Sequence, residues 1–201
     1  MLTLAKIAAN SQILTFLLRS KNYEELTLRP LRFNDSQSLS NFLGGLSVET
    51  RRFYTLNGYD IHTAKEFCNS IGKYDKLRFI VESKDQKIIG LFEFSFDLTE
   101  DDKKRFSKYG YTLNQGSDCR FGPCLLDNYQ NQGLGTVILP FIIKIAKDFG
   151  QKRIILWGGV LANNTRAIRY YQKNNFKVVG DFINSNNIAC LDMILDITYL
   201  R

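Results

Sequence analysis

The segment from residue 130 to residue 135 constrains the fold of this chain more than any other part of its sequence. It reads Gln-Asn-Gln-Gly-Leu-Gly and follows the short apolar run Cys124-Leu125-Leu126. After it, the stretch from Thr136 to Phe149 is mostly apolar and closes at Gly150. Two closely spaced glycines between an apolar run and a long apolar stretch are typical of a strand that turns sharply into a helix. The sequence therefore predicts a strand, a loop and a helix in this order.

A loop of this kind presents unpaired backbone N–H groups at the N-terminus of a helix. These donors and the positive end of the helix dipole together favour a phosphorylated ligand. Two other glycine loops do not fit, since a Walker loop needs a lysine that Leu134-Gly135-Thr136 lacks, and a dinucleotide fingerprint needs a glycine where Ile138 stands. On the loop alone, a helix start that merely tolerates glycine remains an alternative.

A second pattern follows about 30 residues downstream, after another strand-like apolar run. Asn163-Asn164 can cap a helix that carries Ala167, Ile168 and Tyr171 on one side. Asn174-Asn175 can end that helix, because asparagine tolerates the left-handed conformation. The order of elements is then strand, loop, helix, strand, asparagine-capped helix and strand.

Both patterns resemble the signatures of the GNAT superfamily of acyl-CoA-dependent N-acetyltransferases. The first signature, Gln/Arg-x-x-Gly-x-Gly/Ala, is met by Gln130, Gly133 and Gly135. The second, Asn-x-x-Ala-Ile-x-x-Tyr-x-x-x-Gly-Phe, is met by Asn164, Ala167, Ile168, Tyr171 and Phe176, with Asn175 at the glycine position. Asparagine there keeps the same backbone tolerance. The resemblance covers roughly Leu26 to Ile197 and is fairly specific, because two motifs occur with the expected helix and strand between them.

The resemblance and the order of elements imply an α/β fold of the α+β type. We expect a mixed, mostly antiparallel central sheet of about six to seven strands, flanked by helices on both faces, with an extra N-terminal helix. Residues 1–22 are interpreted as an N-terminal helical extension suited to docking or dimer contacts, with a presequence as the alternative, since no acidic residue precedes Glu24. Residues 23–201 are interpreted as a single GNAT-like acetyltransferase domain, since the length suits one domain. No apolar run reaches the ~18 residues that a membrane helix needs, so no membrane partner is expected.

Capping signals and periodicity predict the other elements. Asp35 is expected to cap one helix, and Thr63-Ala64-Lys65-Glu66 has the capping-box spacing of another. Pro140 removes one hydrogen bond from the helix after the loop, so we expect a kink there. The remaining predictions are strands over 26–31, 78–83 and 87–96, a short helix between Thr99 and Gly110, and a closing hairpin of 176–182 and 188–195.

The net charge of +7 is unevenly placed along the chain. Between Tyr129 and Gly180 eight basic residues face one acidic residue, Asp148, and this span accounts for the whole excess. A basic field around the loop suits a ligand with several phosphate charges. A nucleic-acid partner is not expected, because such binders usually concentrate Lys and Arg on one groove-fitting element.

The cysteines and the histidine argue against a metal site. Cys68, Cys119, Cys124 and Cys190 form no Cys-x-x-Cys pair, and the sequence has a single histidine, His62. We therefore expect no metal, and reduced thiols in a cytoplasmic protein rather than disulfides.

The resemblance also implies roles for individual residues toward acetyl-CoA as acyl donor. Pro123, Cys124 and Leu125 would pair along the pantetheine arm, with the Leu125 N–H facing the thioester carbonyl. The diphosphate would be held by Asn131, Gln132, Gly133, Leu134, Gly135 and Thr136. Asn164 would bind the cofactor's arm, and Tyr171 would protonate the departing sulfur. The alternative for Tyr171 is a packed core residue whose hydroxyl lies at the edge of the core.

The general base is where the sequence departs from the family pattern. Family members often carry a glutamate on the fourth strand or late on the fifth, and the aligned positions here are Cys119 and Gly159. Glu93 is the preferred substitute, because a carboxylate among apolar neighbours suits a general base. Asp118 is the second candidate, and a water chain without a dedicated base is the third.

These residues lead to one functional expectation and two alternatives. The expectation is transfer of an acetyl group from acetyl-CoA to a primary amine of a small-molecule or peptide acceptor by direct attack. The missing family base motivates the first alternative, a CoA-binding sensor or degenerate module without turnover. The positive charge motivates the second, a basic protein that interacts with nucleic acid. The acceptor and the oligomeric state stay open, with a homodimer as a prior.

Overall fold

The computed structural model describes residues 2–22, 24–73 and 75–200, so Tyr23, at the expected domain boundary, lies outside the described residues. The helices of these residues are α1 (Leu4–Ala9), α2 (Ser36–Gly44), α3 (Val48–Phe53), α4 (Ile61–Asn69), α5 (Glu100–Lys108), α6 (Leu134–Asp148) and α7 (Thr165–Lys173). The strands are β1 (Phe16–Arg19), β2 (Glu25–Pro30), β3 (Lys76–Ser83), β4 (Ile88–Ser95), β5 (Asp118–Leu125), β6 (Arg153–Leu156), β7 (Val160–Leu161), β8 (Lys177–Ile183) and β9 (Ala189–Asp196).

All of these strands belong to one hydrogen-bonded sheet. Its order is β1-β2-β3-β4-β5-β6-β9-β7, and β8 pairs with β9. The pairs β1–β2, β2–β3, β6–β9, β7–β9 and β8–β9 are antiparallel, whereas β5–β6 is parallel. The mixed, mostly antiparallel α/β class expected from the sequence is confirmed, and the sheet is larger than expected.

The chain forms two compact units, each with its own core. The first unit contains Met1–Glu93 and Pro123–Ile145, and the second contains Phe94–Gly122 and Ala146–Arg201. In the first, apolar residues of α2 and α4 pack on strand residues, among them Leu39, Phe42, Phe67, Ile80 and Leu91. In the second, Phe106 of α5 packs with Leu98, Leu113, Ile155 and Ile194.

The N-terminal extension is helical only in its first part. Helix α1 ends at Ala9, and the backbone of the next residue, Asn10, is extended. The Asn10 side chain then caps a 3-10 turn by accepting a hydrogen bond from the Gln12 N–H at 3.0 Å. The chain then forms β1, which pairs antiparallel with β2 from Phe16 opposite Leu28 onward. An asparagine that bonds to nearby backbone competes with the helix, and this explains why the predicted helix stops there.

Two capping predictions differ from the structure. Helix α4 begins at Ile61, and its cap is Asp60, whose carboxylate accepts hydrogen bonds from the N–H groups of His62 and Thr63 at 3.0 and 3.1 Å. Thr63 therefore lies inside the helix, with its side chain buried. Asp35 makes no side-chain cap bond to α2; its carboxylate instead pairs with Arg29 at 2.8 Å. The ion pair with Arg29 gives the Asp35 carboxylate a charge-assisted hydrogen bond. This tertiary contact, and not the helix start, therefore sets the orientation of the side chain.

Candidate functional site

The loop predicted from the glycines is an open helix start. A 3-10 turn at Asp127–Tyr129 leads into it, and α6 begins immediately after it at Leu134. Asn131 and Gly133 adopt left-handed φ angles of +61° and +76° just before the helix. The backbone N–H groups of Asn131, Gln132, Gly133 and Leu134 donate to no other group within the described part of the chain. Donors of this kind at a helix N-terminus can hold the oxygens of a phosphate.

The side chain of Gln130 ties this loop to its surroundings. Its Nε2 donates to the Leu125 carbonyl at 2.8 Å and to the Thr50 hydroxyl at 3.1 Å. The first glutamine of the signature therefore acts here as a brace between the end of β5 and the loop.

Asp127 anchors the same loop to helix α3. Its carboxylate accepts hydrogen bonds from the Ser47 backbone N–H at 3.0 Å, the Ser47 hydroxyl at 2.5 Å and the Thr50 hydroxyl at 2.7 Å. Partial burial opposes ionisation, but these hydrogen bonds outweigh it and hold the pKa of Asp127 below its usual range. Ser47 also caps α3 by accepting from the Thr50 N–H at 3.1 Å. The Asp127 carboxylate thus links the N-terminal part of helix α3 to the turn that precedes the loop.

The last residues of β5 lie beyond its pairing with β6. The parallel register runs from Asp118 opposite Arg153 to Phe121 opposite Leu156, and β5 continues to Leu125. After β5, the Leu126 N–H donates to the Ile89 carbonyl at 2.9 Å. Pro123 and Leu125, which the resemblance assigns to pantetheine, therefore lie in the part of β5 that continues past this register.

The neighbours of Cys124 define what its side chain contributes. It is 4% exposed and packs in the core of the first unit. Burial, with smaller contributions from Asp127 and Glu93, raises the pKa of its thiol. A thiol with a raised pKa is a poor nucleophile at neutral pH, so any contact of Cys124 with a ligand is made by its backbone.

Glu93, the preferred base candidate, lies in a buried polar cluster. It is 6% exposed, and its Oε1 accepts a hydrogen bond from Arg78 Nε at 2.7 Å. Its Oε2 accepts from the hydroxyl of Tyr54. The guanidinium of Arg78 also stacks on the ring of Phe67, 3.9 Å from its centre. The carboxylate is therefore ion-paired, and not isolated among apolar side chains as the sequence indicated.

This pairing has two chemical consequences. A carboxylate offers about four acceptor positions, so two hydrogen bonds leave capacity for a third partner. Burial, and then the Glu93 charge, raises the pKa of Tyr54 well above its usual value. Tyr54 is therefore a neutral donor to Glu93 at ordinary pH.

The second base candidate, Asp118, is a structural residue by its contacts. It is fully buried and takes two hydrogen bonds from Arg153, at 2.7 and 2.6 Å, and one from the Asn114 N–H at 2.6 Å. Its neighbour Cys119, at the family base position, is also fully buried, and burial raises its thiol pKa. At the other family position, Gly159 has φ +71°, and an added Cβ would lie 2.9 Å from the Leu191 carbonyl oxygen. A glutamate does not fit there.

Asn164 and Tyr171 lie in the second unit, on helix α7. Asn164 caps α7 by accepting a hydrogen bond from the Ala167 N–H at 3.1 Å. Tyr171 is 7% exposed and packs between Tyr170 and Phe176, with ring centres 5.2 and 5.1 Å away. Asn175 takes φ +67°, the left-handed conformation expected where the signature has glycine. The packing of Tyr171 is compatible with both alternatives stated for it above.

Sequence reasoning missed three contributors to this region: Tyr54, Arg78 and Asp127. None has a local signal, because each acts through a partner distant in the chain. Helix α3 could have been found, since Ser47 precedes Glu49 in the pattern of a capped helix start.

With this geometry established, comparison with known proteins decides the family. The sequence profile of the acetyltransferase (GNAT) family matches residues 46–176, well over half of the chain. The chain belongs to this family. It is therefore an acyltransferase enzyme that moves an acyl group from acyl-CoA to an amine. A comparison with curated protein sequences gave no match.

Solved structures share the GNAT fold with this chain. Ribosomal-protein-S5-alanine acetyltransferase from Vibrio fischeri is 13% identical, with a TM-score of 0.71 over 93% of this chain and 98% of that one. RimJ from Mycobacterium smegmatis, in complex with CoA-disulfide, is 14% identical, with a TM-score of 0.71 over 92% and 88%. A chimera of the spermidine N-acetyltransferase SpeG from Vibrio cholerae and hSSAT is 19% identical, with a TM-score of 0.64 over 86% and 96%.

Two further features bear on ligands. No group of three or more His, Cys, Asp and Glu side chains within 2–22, 24–73 and 75–200 is arranged to hold a metal ion. Over the same ranges, every helix is too short or too polar to cross a membrane. The family implies acyl-CoA as the acyl donor.

Proposed function

We propose that this GNAT enzyme transfers an acetyl group from acetyl-CoA to a primary amine by direct attack. The observation that carries the proposal is the open start of α6, where the amides of Asn131, Gln132, Gly133 and Leu134 donate to none of the residues that the structure describes. Such a group of donors suits a diphosphate, and the family match supplies the acyl donor class.

The proposal assigns binding roles to residues of both motifs. The segment from Asn131 to Thr136 holds the diphosphate through its backbone. Pro123, Cys124 and Leu125 bind the pantetheine arm through theirs, and Asn164 contributes to binding the same arm. Gln130 and Asp127 keep the loop in shape through their bonds to Leu125 and α3.

The thioester supplies an activated acetyl group, and the remaining chemistry belongs to the protein. An amine must lose a proton before attack, because an alkylammonium has a pKa near ~10. Glu93 is proposed to accept that proton, directly or through water. As the C–N bond forms and the C–S bond breaks, the Leu125 N–H donates to the carbonyl oxygen that gains charge. Tyr171 gives its proton to the departing sulfur, and its phenolate regains a proton, through water, from the nitrogen that has formed the new C–N bond.

Titration calorimetry with acetyl-CoA tests the binding part of this proposal. We expect a dissociation constant below about 1 mM, within the usual range for enzyme substrates. Absence of binding at millimolar acetyl-CoA would refute the proposal. Turnover is then measured as release of CoA thiol across amines that include spermidine, a peptide with an N-terminal alanine, and a lysine peptide. The first two are chosen because similar structures are named for those acceptors.

One observation favours a second candidate, a CoA-binding module without turnover. Each carboxylate considered as a base, Glu93 and Asp118, is buried and ion-paired with an arginine, an arrangement that is common among purely structural carboxylates. Such a module binds acetyl-CoA but releases no thiol with any amine of the panel. Turnover that Tyr171→Phe abolishes would exclude it.

A further inference from the structure

The turn between β1 and β2 lies directly on the phosphate loop. Asn22 Nδ2 donates to Gln132 Oε1 at 3.4 Å. The side chain of Lys21 crosses Gly133 so closely that a Cβ atom on Gly133 would lie 2.7 Å from Lys21 Cε and 3.0 Å from its Nζ. The N-terminal extension therefore reaches the loop through two consecutive residues of one turn.

The charge of Lys21 is exposed and unpaired among the described residues. No ion pair within these residues includes Lys21, and its side chain is exposed. The acidic residues near this turn have other contacts: Glu25 pairs with Arg19 at 3.7 Å, and Glu24 accepts a weak hydrogen bond from the Tyr129 hydroxyl at 3.5 Å. The ammonium group lies beside Gly133, whose amide donates to no described residue.

An ammonium group beside several unpaired amides is a site for a doubly charged anion. Backbone N–H groups supply directed hydrogen bonds, and a lysine adds a point charge with three rotatable donors. The lysine stem passes over Gly133, so the ammonium group lies close to the loop amides.

We propose that Lys21 is a binding residue for the acyl donor, and that its ammonium donates to an oxygen of the CoA diphosphate. The inference rests on the proposed function, because it takes acetyl-CoA as the ligand of the loop. It gives the N-terminal extension a part in ligand binding: β1 and β2 present Lys21, and Asn22 fastens the turn to Gln132.

The test measures affinities of the full chain by titration calorimetry with CoA and with 3′-dephospho-CoA, which keeps the diphosphate but lacks the 3′-phosphate. Lys21→Ala is expected to lower the affinity for both ligands by the same factor, about tenfold, as for loss of one charge-assisted hydrogen bond. Lys21→Arg keeps the charge and should stay within about threefold of the wild type. Lys73→Ala removes another exposed turn lysine of the first unit and should change neither affinity.

Three results would overturn the inference, and they are distinguishable. If Lys21→Ala binds both ligands as tightly as the wild type while melting at the same temperature, Lys21 is not a binding residue. If Lys21→Ala lowers the affinity for CoA but not for 3′-dephospho-CoA, the ammonium binds the 3′-phosphate and the diphosphate assignment is wrong. If the wild type binds neither ligand, the proposed function itself fails and the inference fails with it.

Discussion

The Thr50 hydroxyl donates to the carboxylate of Asp127 at 2.7 Å, although the two residues are far apart in the chain. Two more hydrogen bonds, both from Ser47, reach the same carboxylate. Asp127 opens the turn that precedes the phosphate loop, and Tyr54, the partner of Glu93, directly follows α3. One capped helix therefore connects the loop with the proposed base.

Asp127→Asn is expected to lower the free energy of unfolding by about 1 kcal/mol at pH 7, a value reduced for the exposure of the carboxylate. The folded-state pKa of Asp127 is lowered, so its contribution is present above the usual aspartate pKa and is lost as the pH falls through the folded value. Urea unfolding at pH 7 and at about pH 3 measures this, and the difference from wild type should shrink at the lower pH. Asp181→Asn, an exposed strand position, is the control. A difference that does not depend on pH would contradict the prediction.

Gly133→Ala should impair both stability and ligand binding. The left-handed φ of +76° costs an alanine about 1–2 kcal/mol, and the new Cβ displaces the flexible side chain of Lys21 from its position over the loop. Gly110→Ala is a matched control, because Gly110 has φ +82° but no atom within 4 Å of an added Cβ. Both variants should lose stability in urea unfolding, whereas only Gly133→Ala should lose affinity for CoA. Equal affinities in the two variants would show that the space over Gly133 is irrelevant to the ligand.

Tyr54→Phe removes the hydroxyl that donates to Glu93 and keeps the ring. Because this donor fixes the position of the carboxylate, we expect kcat to fall by about 10- to 100-fold. The free energy of unfolding should fall by about 1.5–3 kcal/mol, as for loss of one hydrogen bond to a charged group. Tyr199→Phe alters a tyrosine that is 87% exposed and should leave kcat unchanged. A wild-type kcat in Tyr54→Phe would show that the contact between Tyr54 and Glu93 does not serve turnover.

Tyr171→Phe should lower kcat by about 10²- to 10⁴-fold, the usual contribution of a general acid. The ring contacts with Tyr170 and Phe176 remain, so the melting temperature should change little. Tyr170→Phe makes the same chemical change one residue earlier and should keep near wild-type turnover. Turnover of Tyr171→Phe at the wild-type rate would assign Tyr171 to the core alone.

Local signals in the sequence were sufficient for the elements on which the motifs lie. The glycines of the loop and Asn164 act over three or four residues, and the structure places both at helix starts, as predicted. Thr63 shows the limit of such signals, because Asp60 lies three residues earlier and accepts from two amides at once. Between two competing caps, the sequence pattern does not reveal which side chain reaches the amides.

The partners of Glu93 could not be predicted from the sequence, for a different reason. Its neighbours along β4 are apolar, and these suggested an isolated carboxylate. Its actual partners come from α3 and β3, brought close only when the first unit folds. Strand β1 escaped prediction similarly, since Phe16–Arg19 becomes a strand by pairing with β2. Both contacts join residues that are distant in the sequence, and the local pattern of apolar and polar residues does not reveal such contacts.

The four free cysteines have a practical consequence. Cys68, Cys119, Cys124 and Cys190 are all buried, and burial raises the pKa of each thiol, that of Cys68 to about 11. At neutral pH the folded enzyme should thus react only slowly with alkylating agents and aromatic disulfide dyes. Colorimetric detection of the coenzyme's liberated sulfhydryl will then carry little background from the protein, and storage without reductant should be well tolerated.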